Sequence, residues 1–369
     1  MKIYLSGALL GGLAWDTDLP FCYMPSFFPF TTKEWIKAAK NNFSLFNKRK
    51  LKMGNKVNLF LDSGAFSAKT KGIEINIQDY ISFIKENEDY IDVYANLDVI
   101  GDAEATWVNQ KIMENSGLHP LPVFHIGENI SYLYKCMQYE YFCLGGIAKV
   151  SSQERRNWLD MCFNIICDSC DGTPKNKVHG FGMTSIEMMV RFPWFSVDST
   201  SWVLTGRFGG VYIPQKKNGK YVYNENPFTI NVSNRSPNTK QEGQHFSTMT
   251  KIEQKIILEY LEEKEFYIGK SEYRKENRKT YKLIKENERW ANSADAGACR
   301  ELIEEIGTFV PSDLLAMRDL VEIIIEPGLC NDYKKRDELN IIYFLDLENN
   351  LPKWPWAFKA KNKGGFGFK

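Results

Sequence analysis

Three aspartates, one histidine and two pairs of glycines stand where short apolar runs end. VNLFLD stops at Asp62, DVYANLD at Asp98, LPVFH at His125, YFCLGG at Gly145 and Gly146, and FSVD at Asp198. Gly180 and Gly182 bracket the turn in KVHGFGM. If each apolar run is a strand of a parallel sheet, these residues gather where such folds carry their chemistry. Carboxylates crowded into an aromatic, partly dry pocket diverge in pKa, so that one ionises while another keeps its proton. Such a pair serves as nucleophile and acid at a glycosidic carbon. Either carboxylate suits equally the N–H groups of a purine. Taken singly, Asp62 and Asp98 also suit caps, His125 a hydrogen-bonded core histidine, and Asp198 the cap of the next turn. Their recurrence at successive strand ends favours a site.

The elements that must position these residues alternate. Strand centres fall at Ile3, Cys22, Leu59, Tyr94, Val123, Leu144, Phe181 and Val197. Helical patterns over Ile77–Asn87, Ala103–Ser116 and Ser152–Cys167, and one opening near Ile186, lie between strands. Thr184 or Ser185 suits the cap of that last helix, Glu187 its first turn and Pro193 its stop. Strand and helix recur at intervals of roughly 25–40 residues, the rhythm of βα units. Right-handed crossovers then put the helices outside and close the sheet into a barrel. The expected fold class is α/β: a (β/α)8, TIM-like barrel over residues 1–205, with a β-rich and helical C-terminal extension over 206–369. The stretch PFCYMPSFFPF, with its three prolines, reads as a loop over a cleft, which makes the strand at Cys22 the least defined of the eight.

Composition bounds the partners. The chain has 369 residues, 43% of them hydrophobic, and a formal net charge of +1, so nucleic-acid binding must come from local patches. Aromatic residues make up 14%, enough for a pocket that stacks a flat ring. No apolar run is long enough to span a membrane, and MKIYLSGALLGGLAW reads as a first strand and loop rather than a signal peptide. The 8 cysteines are scattered, which points to reduced thiols in a cytoplasmic setting. Cys167 and Cys170 have ligand spacing but no second pair, so structural thiols are the expectation.

After Val203 the pattern changes to short β-rich pieces joined by turns such as NGK, and then to helical patterns over residues 250–290 and 297–325. Arg274, Arg278, Lys282, Lys285 and Arg289 recur at helical spacing and form a candidate basic stripe, with Lys48–Lys52 as a second patch. The lysine-rich helical pattern over 33–52 otherwise reads as a solvated face. The tail after Asn350 reads as loosely ordered.

Several of these segments resemble those of tRNA-guanine (queuine) transglycosylases, and in the same order. LDSGAFSA resembles the family's DSGGFQ motif, YFCLGGIAKV its LGGLAVGE segment, and VHGFGMTSIEMMVRFPWFSVDST its MGVGTPEDL…FDCVLPTR segment. Within that superfamily the chain looks closer to phage-encoded proteins related to 7-deazaguanine DNA transglycosylases, and a phage protein would act in the host cytoplasm. The resemblance covers Lys2 to Trp202. It implies that Asp198 attacks the anomeric carbon, displaces guanine and forms a covalent intermediate. It implies that Asp62 works in the base pocket and in proton handling, and that Asp98 binds the purine. Gly145 and Gly146 would line the incoming base, Met183 would stack on it, and His125 and Phe66 would complete the binding site.

The departures are as informative. Ser67 follows the first-motif Phe where the family has Gln, and His125 stands where the tRNA enzymes have a glutamine-glycine segment. Their C-x-C-x-x-C…His zinc spacing is not in the sequence, which favours DNA over tRNA as substrate, with a 7-deazaguanine such as preQ0 or preQ1 entering. The implied chemistry calls for no cofactor and no metal. Two other readings stay open: a hydrolase of N-glycosidic bonds on the same fold, and a non-catalytic nucleic-acid-binding barrel, against which Asp62 and Asp198 argue. For the exchange, Trp194, Phe195 and Trp202 are candidates to keep water from the intermediate.

Overall fold

The computed structural model describes residues 1–7, 21–27, 57–147, 150–183, 185–235, 242–277, 279–282, 285–290 and 320–359. Backbone packing divides the chain into two units, one running to Thr200 and resuming at Glu348, the other over Ser201–Leu347. The division falls five residues before the boundary expected at 205, and the last stretch of chain returns to the first unit.

The first unit is an α/β fold built on eight parallel strands: β1 (Lys2–Ser6), β2 (Phe21–Met24), β3 (Val57–Leu61), β4 (Val93–Tyr94), β5 (Val123–His125), β6 (Tyr141–Gly145), β7 (Lys177–Gly180) and β8 (Ser196–Ser199). Their order in the sheet is β4-β3-β2-β1-β8-β7-β6-β5, the sequence order cut once. The first and last strands therefore lie side by side, with Tyr4 opposite Asp198. At the cut, a parallel bridge joins Ala95 to Leu121, with Leu121 N–H donating to Tyr94 O and Asn96 N–H to Leu121 O, both at 2.9 Å. The Cys22 region is a strand after all: Phe21–Met24 pairs with both neighbours, and its prolines fall outside the paired residues.

Helices α1 (Ala65–Lys71), α2 (Ile77–Glu86), α3 (Ala103–Asn115), α4 (Ile130–Cys136), α5 (Ser152–Ile166) and α6 (Ile186–Arg191) fill the connections. Four start at side chains that accept from the first-turn N–H groups: Asn76, Asp102, Asn129 and Ser151. The helix after β7 ends at Arg191 before Pro193; Ser185 is its N-cap without a side-chain bond, and Thr184 lies outside the described residues. Apart from β4, whose two residues are half-buried, the strands are buried on both faces, as a parallel sheet covered by helices requires. Tyr4, Cys22, Met24, Phe60, Ala95, Val123 and Cys143 form one cluster, while Phe124, the residue after Val123, stacks on Trp158 of α5 at 5.8 Å. Residues 350–359 are docked rather than loose, because Trp354 packs edge-on against Phe195 and Phe358 N–H donates to Gly172 O at 2.9 Å.

The second unit opens with α7 (Ser201–Arg207) and continues through β9 (Gly210–Ile213), β10 (Gln215–Lys217), β11 (Lys220–Val222), β12 (Phe228–Asn231), α8 (Lys251–Glu263), β13 (Lys270–Lys275), β14 (Glu288–Trp290), β15 (Leu320–Glu326) and α9 (Tyr333–Asn350), whose last residues pass into the first unit. The NGK turn joins β10 to β11, with positive φ at Asn218 and Gly219. Only the front of the helical pattern over 250–290 is helix; β13 and β14 flank β15 in an antiparallel sheet. Residues 320–325, expected to be helical, are strand, and residues 297–319 lie outside the described ones.

Among the described residues the helix expected to carry the basic stripe is not present, and Lys282 and Lys285 are exposed outside any helix. Arg274 sits on β13, where it meets Glu276, Tyr281 and Glu288 at 2.7, 2.7 and 3.4 Å. Arg289 sits on β14 and pairs at 3.0 Å with Glu322, which is fully buried. Arg278, Lys48–Lys52, the 33–52 pattern, Cys299 and residues 360–369 lie outside the described residues. No helix among those described is long and apolar enough to cross a membrane.

Candidate active site

The residues at the strand ends do converge. Ser6 ends β1, Asp62 and Ser63 follow β3, Asp98 follows β4, His125 ends β5, Gly145 ends β6, Phe181 and Gly182 follow β7, and Asp198 lies in β8. The carboxyl groups of Asp98 and Asp198 are close enough for their charges to act on Asp62.

Asp198 is 6% exposed and held from three sides. Its Oδ2 accepts from the Ser6 hydroxyl at 2.9 Å and its Oδ1 from the Gly182 N–H at 2.6 Å. His179 Nε2 stands 3.5 Å from Oδ1. Gly182 has a φ of 62°, which a side chain resists, and this turn aims its N–H at the carboxylate.

Asp62 is tied into the backbone of the neighbouring strand end: its N–H donates to Pro25 O at 2.9 Å and its carbonyl accepts from Phe27 N–H at 2.8 Å. Burial first, then the charges of Asp98 and Asp198, push its carboxyl up to about 7, against the Gly64 N–H and Ser26, which favour the charged form. A carboxyl that exchanges its proton near neutrality suits an acid that must later act as a base.

Asp98 is the centre of a second group. Its Oδ1 accepts from Ser63 at 3.0 Å and its Oδ2 lies 2.9 Å from His125 Nε2. His125 Nδ1 lies 3.0 Å from Glu128 Oε1, and the His125 backbone N–H donates to Glu128 Oε2 at 2.8 Å. Burial alone would lower the imidazole, but the hydrogen bonds and charges of Asp98 and Glu128 outweigh it and raise it to about 9. His125 is thus an imidazolium clamped between two carboxylates. It is 3% exposed with both nitrogens engaged, so it offers no free donor and its hold is on Asp98. A Cβ at Gly145 would stand 3.0 Å from the His125 ring and crowd it where it meets Asp98.

A group whose folded pKa lies above its unfolded value stabilises the fold fully below the unfolded value and loses that contribution through the folded one. For His125 the window runs from 6.5 to about 9. Urea unfolding is expected to show stability falling across that window, and His125→Asn should flatten the part above about pH 7, where Asp62 no longer adds to it. A His125→Asn variant with the same slope would show that the clamp contributes nothing.

The remaining expected contacts divide. Phe66, in the first turn of α1, is 50% exposed, whereas Met183 is fully buried and offers no face for a base. Phe181, beside Gly182, is partly exposed and packs on His179 at 4.8 Å. Trp194 does not shield the site: it packs under Gly180 and against Phe163 of α5. Phe195 precedes β8 and packs on Tyr141 and Trp354, at the other end of the strand from Asp198.

Sequence reasoning missed Ser6, Ser63, Glu128, His179 and Ser196. Adjacency was the available signal for two of them, since Ser63 follows Asp62 and Glu128 stands three residues after His125. Among the described residues no group of three or more His, Cys, Asp or Glu side chains is arranged to hold a metal ion; Cys167 is buried and Cys170 exposed. No family model and no curated protein sequence matches the chain.

Proposed function

We propose that the chain is a base-exchange transglycosylase that replaces guanine in a nucleic acid, DNA in preference to tRNA, with a 7-deazaguanine through an aspartyl intermediate. The observation that carries this reading is the pairing of Asp198, donor-held at a strand end, with Asp62, whose carboxyl titrates near neutrality. The reading takes the sheet as a closed (β/α)8 barrel, which the Ala95–Leu121 bridge between its two edges supports.

In this reading Asp198 displaces guanine from the sugar carbon while Asp62 protonates the departing base. The deazaguanine then displaces Asp198 and gives its proton to Asp62. Asp98, fixed by Ser63 and the His125 imidazolium, is the acceptor for purine N–H groups. Resemblance to the transglycosylases adds the substrate class, and the missing zinc-ligand spacing favours DNA.

Mass spectrometry of nucleosides from the DNA and tRNA of cells expressing the protein tests this. A 7-deazaguanine deoxynucleoside in the DNA digest is expected, dependent on Asp198. The corresponding ribonucleoside in tRNA alone would move the substrate to tRNA. Abasic sites in place of a modified base would make the protein a hydrolase, and unaltered nucleosides from both pools would defeat the reading.

A further inference from the structure

Behind Asp198 runs a buried polar chain that the proposed reaction leaves unused. The Tyr141 hydroxyl hydrogen-bonds the Ser196 hydroxyl, and Ser196 Oγ lies 2.6 Å from His179 Nδ1. On the far side of the ring, His179 Nε2 faces Asp198 Oδ1 at 3.5 Å. His179 and Ser196 are fully buried. Tyr4, Phe60 and Phe181 pack around the imidazole at 6.0, 4.6 and 4.8 Å. Its Nε2 makes no hydrogen bond of ordinary length.

Burial lowers the pKa of His179, so the ring is neutral and carries one proton. The direction of the chain decides which nitrogen holds it. If Tyr141 donates to Ser196 and Ser196 to Nδ1, the proton sits on Nε2 and points at Asp198. The reverse direction sets the Nε2 lone pair against a carboxylate oxygen. That contact is repulsive unless Asp198 is protonated and no longer a nucleophile. A charged Asp198 therefore selects the Nε2–H form.

Resting on the aspartyl-intermediate reading, the geometry points to different tasks for the two oxygens of Asp198: Oδ2 attacks the sugar carbon, while Oδ1 is anchored by the Gly182 N–H and by His179, a positioning residue. In the first displacement an Oδ2 lone pair forms the bond to carbon. The carbon–nitrogen pair leaves with guanine, and guanine takes the Asp62 proton. The carboxylate becomes a neutral ester with Oδ1 as its carbonyl, so donors at Oδ1 lose strength in this step. In the second displacement the ring nitrogen of the deazaguanine forms the new bond, and its proton passes to Asp62. The carbon–Oδ2 pair returns to Asp198 and spreads its charge onto Oδ1, where two N–H groups meet it. The 3.5 Å contact from His179 tightens as that charge develops.

His179 therefore assists resolution of the intermediate and not its formation, which a merely structural role would not do. The test forms the adduct on a guanine-containing DNA duplex without free base, then adds preQ1 and follows the denaturant-resistant species. In His179→Phe, formation should stay near the wild-type rate and decay should slow by roughly 10²-fold, the effect of losing one donor to developing charge. His179→Gln keeps an N–H at the Nε2 position and should recover most of the decay rate. Ser196→Ala keeps the ring but frees its tautomer, and should slow decay less, in the same sense. If the phenylalanine variant does not fold, Ser196→Ala carries the test alone. Decay at the wild-type rate, or equal slowing of both steps, overturns the inference and leaves the aspartyl intermediate standing. A wild type that forms no adduct with DNA or tRNA overturns the intermediate itself, and the inference with it.

Discussion

Replacing Asp198 with asparagine is expected to lower base exchange by roughly 10⁴-fold or more, as loss of a catalytic nucleophile does, and to abolish the denaturant-resistant adduct. The substitution isolates charge from shape. The amide oxygen still accepts from the Gly182 N–H, and the amide nitrogen donates to the Ser6 hydroxyl, reversing one of the two hydrogen bonds that hold the carboxylate. The fold therefore survives, and thermal unfolding should stay close to that of the wild type. Exchange of two bulky bases at one carbon cannot proceed in a single step within one pocket, because the leaving base occupies the space the new one needs. An attacking carboxylate splits the exchange and empties the pocket between the halves. Without its charge neither half proceeds. An adduct that persists in Asp198→Asn would move the nucleophile elsewhere, first to Asp62.

How well each part of this molecule can be read from its sequence follows from how local its causes are. β3 and β6 are legible because they are buried on both faces and so appear as continuous apolar runs. Four of the helices announce themselves through Asn76, Asp102, Asn129 and Ser151 at their starts. β2 is harder, since four paired residues lie among prolines and its place depends on partners at Tyr4 and Leu59. The acids at the strand ends could be located, but their partners could not. His179 reads as one more strand residue, and nothing local says that it faces an aspartate 19 positions further on. The second unit misleads for a physical reason: Arg274 and Arg289 fall at helical spacing, yet they lie on strands that pair with Val321, Glu322 and Ile323 of β15. That β-branched partner outweighs the propensity of a charged segment. Their charges pair with Glu276, Glu288 and Glu322, and Arg274 keeps 42% of its side chain exposed.

Asp62→Asn should lower exchange by roughly 10³-fold, within the range of losing a general acid and base, and should leave nucleic-acid binding intact. Its stronger signature is in the pH dependence. With a carboxyl pushed up to about 7, the wild type holds the proton that departing guanine would need in the proposed exchange only below that value. Adduct formation should therefore fall tenfold per unit above about pH 7, the slope for loss of one proton. Resolution runs the other way, because it needs Asp62 charged to accept a proton. Ester formation also removes the charge of Asp198, one of the causes that raise Asp62. The carboxyl then becomes more acidic in the intermediate, and resolution should weaken only at a pH clearly below the point where formation does. Both limbs should vanish in Asp62→Asn. Stability gives an independent reading. A carboxyl raised from 3.8 to about 7 on folding favours the fold most below the lower value and loses that contribution as pH rises through the upper one. Urea unfolding at pH 5 and pH 8 should show that loss in the wild type, and Asp62→Asn should reduce it. A formation limb that persists unchanged in Asp62→Asn would assign the proton to another group, with the His125–Asp98 pair next in place to supply it.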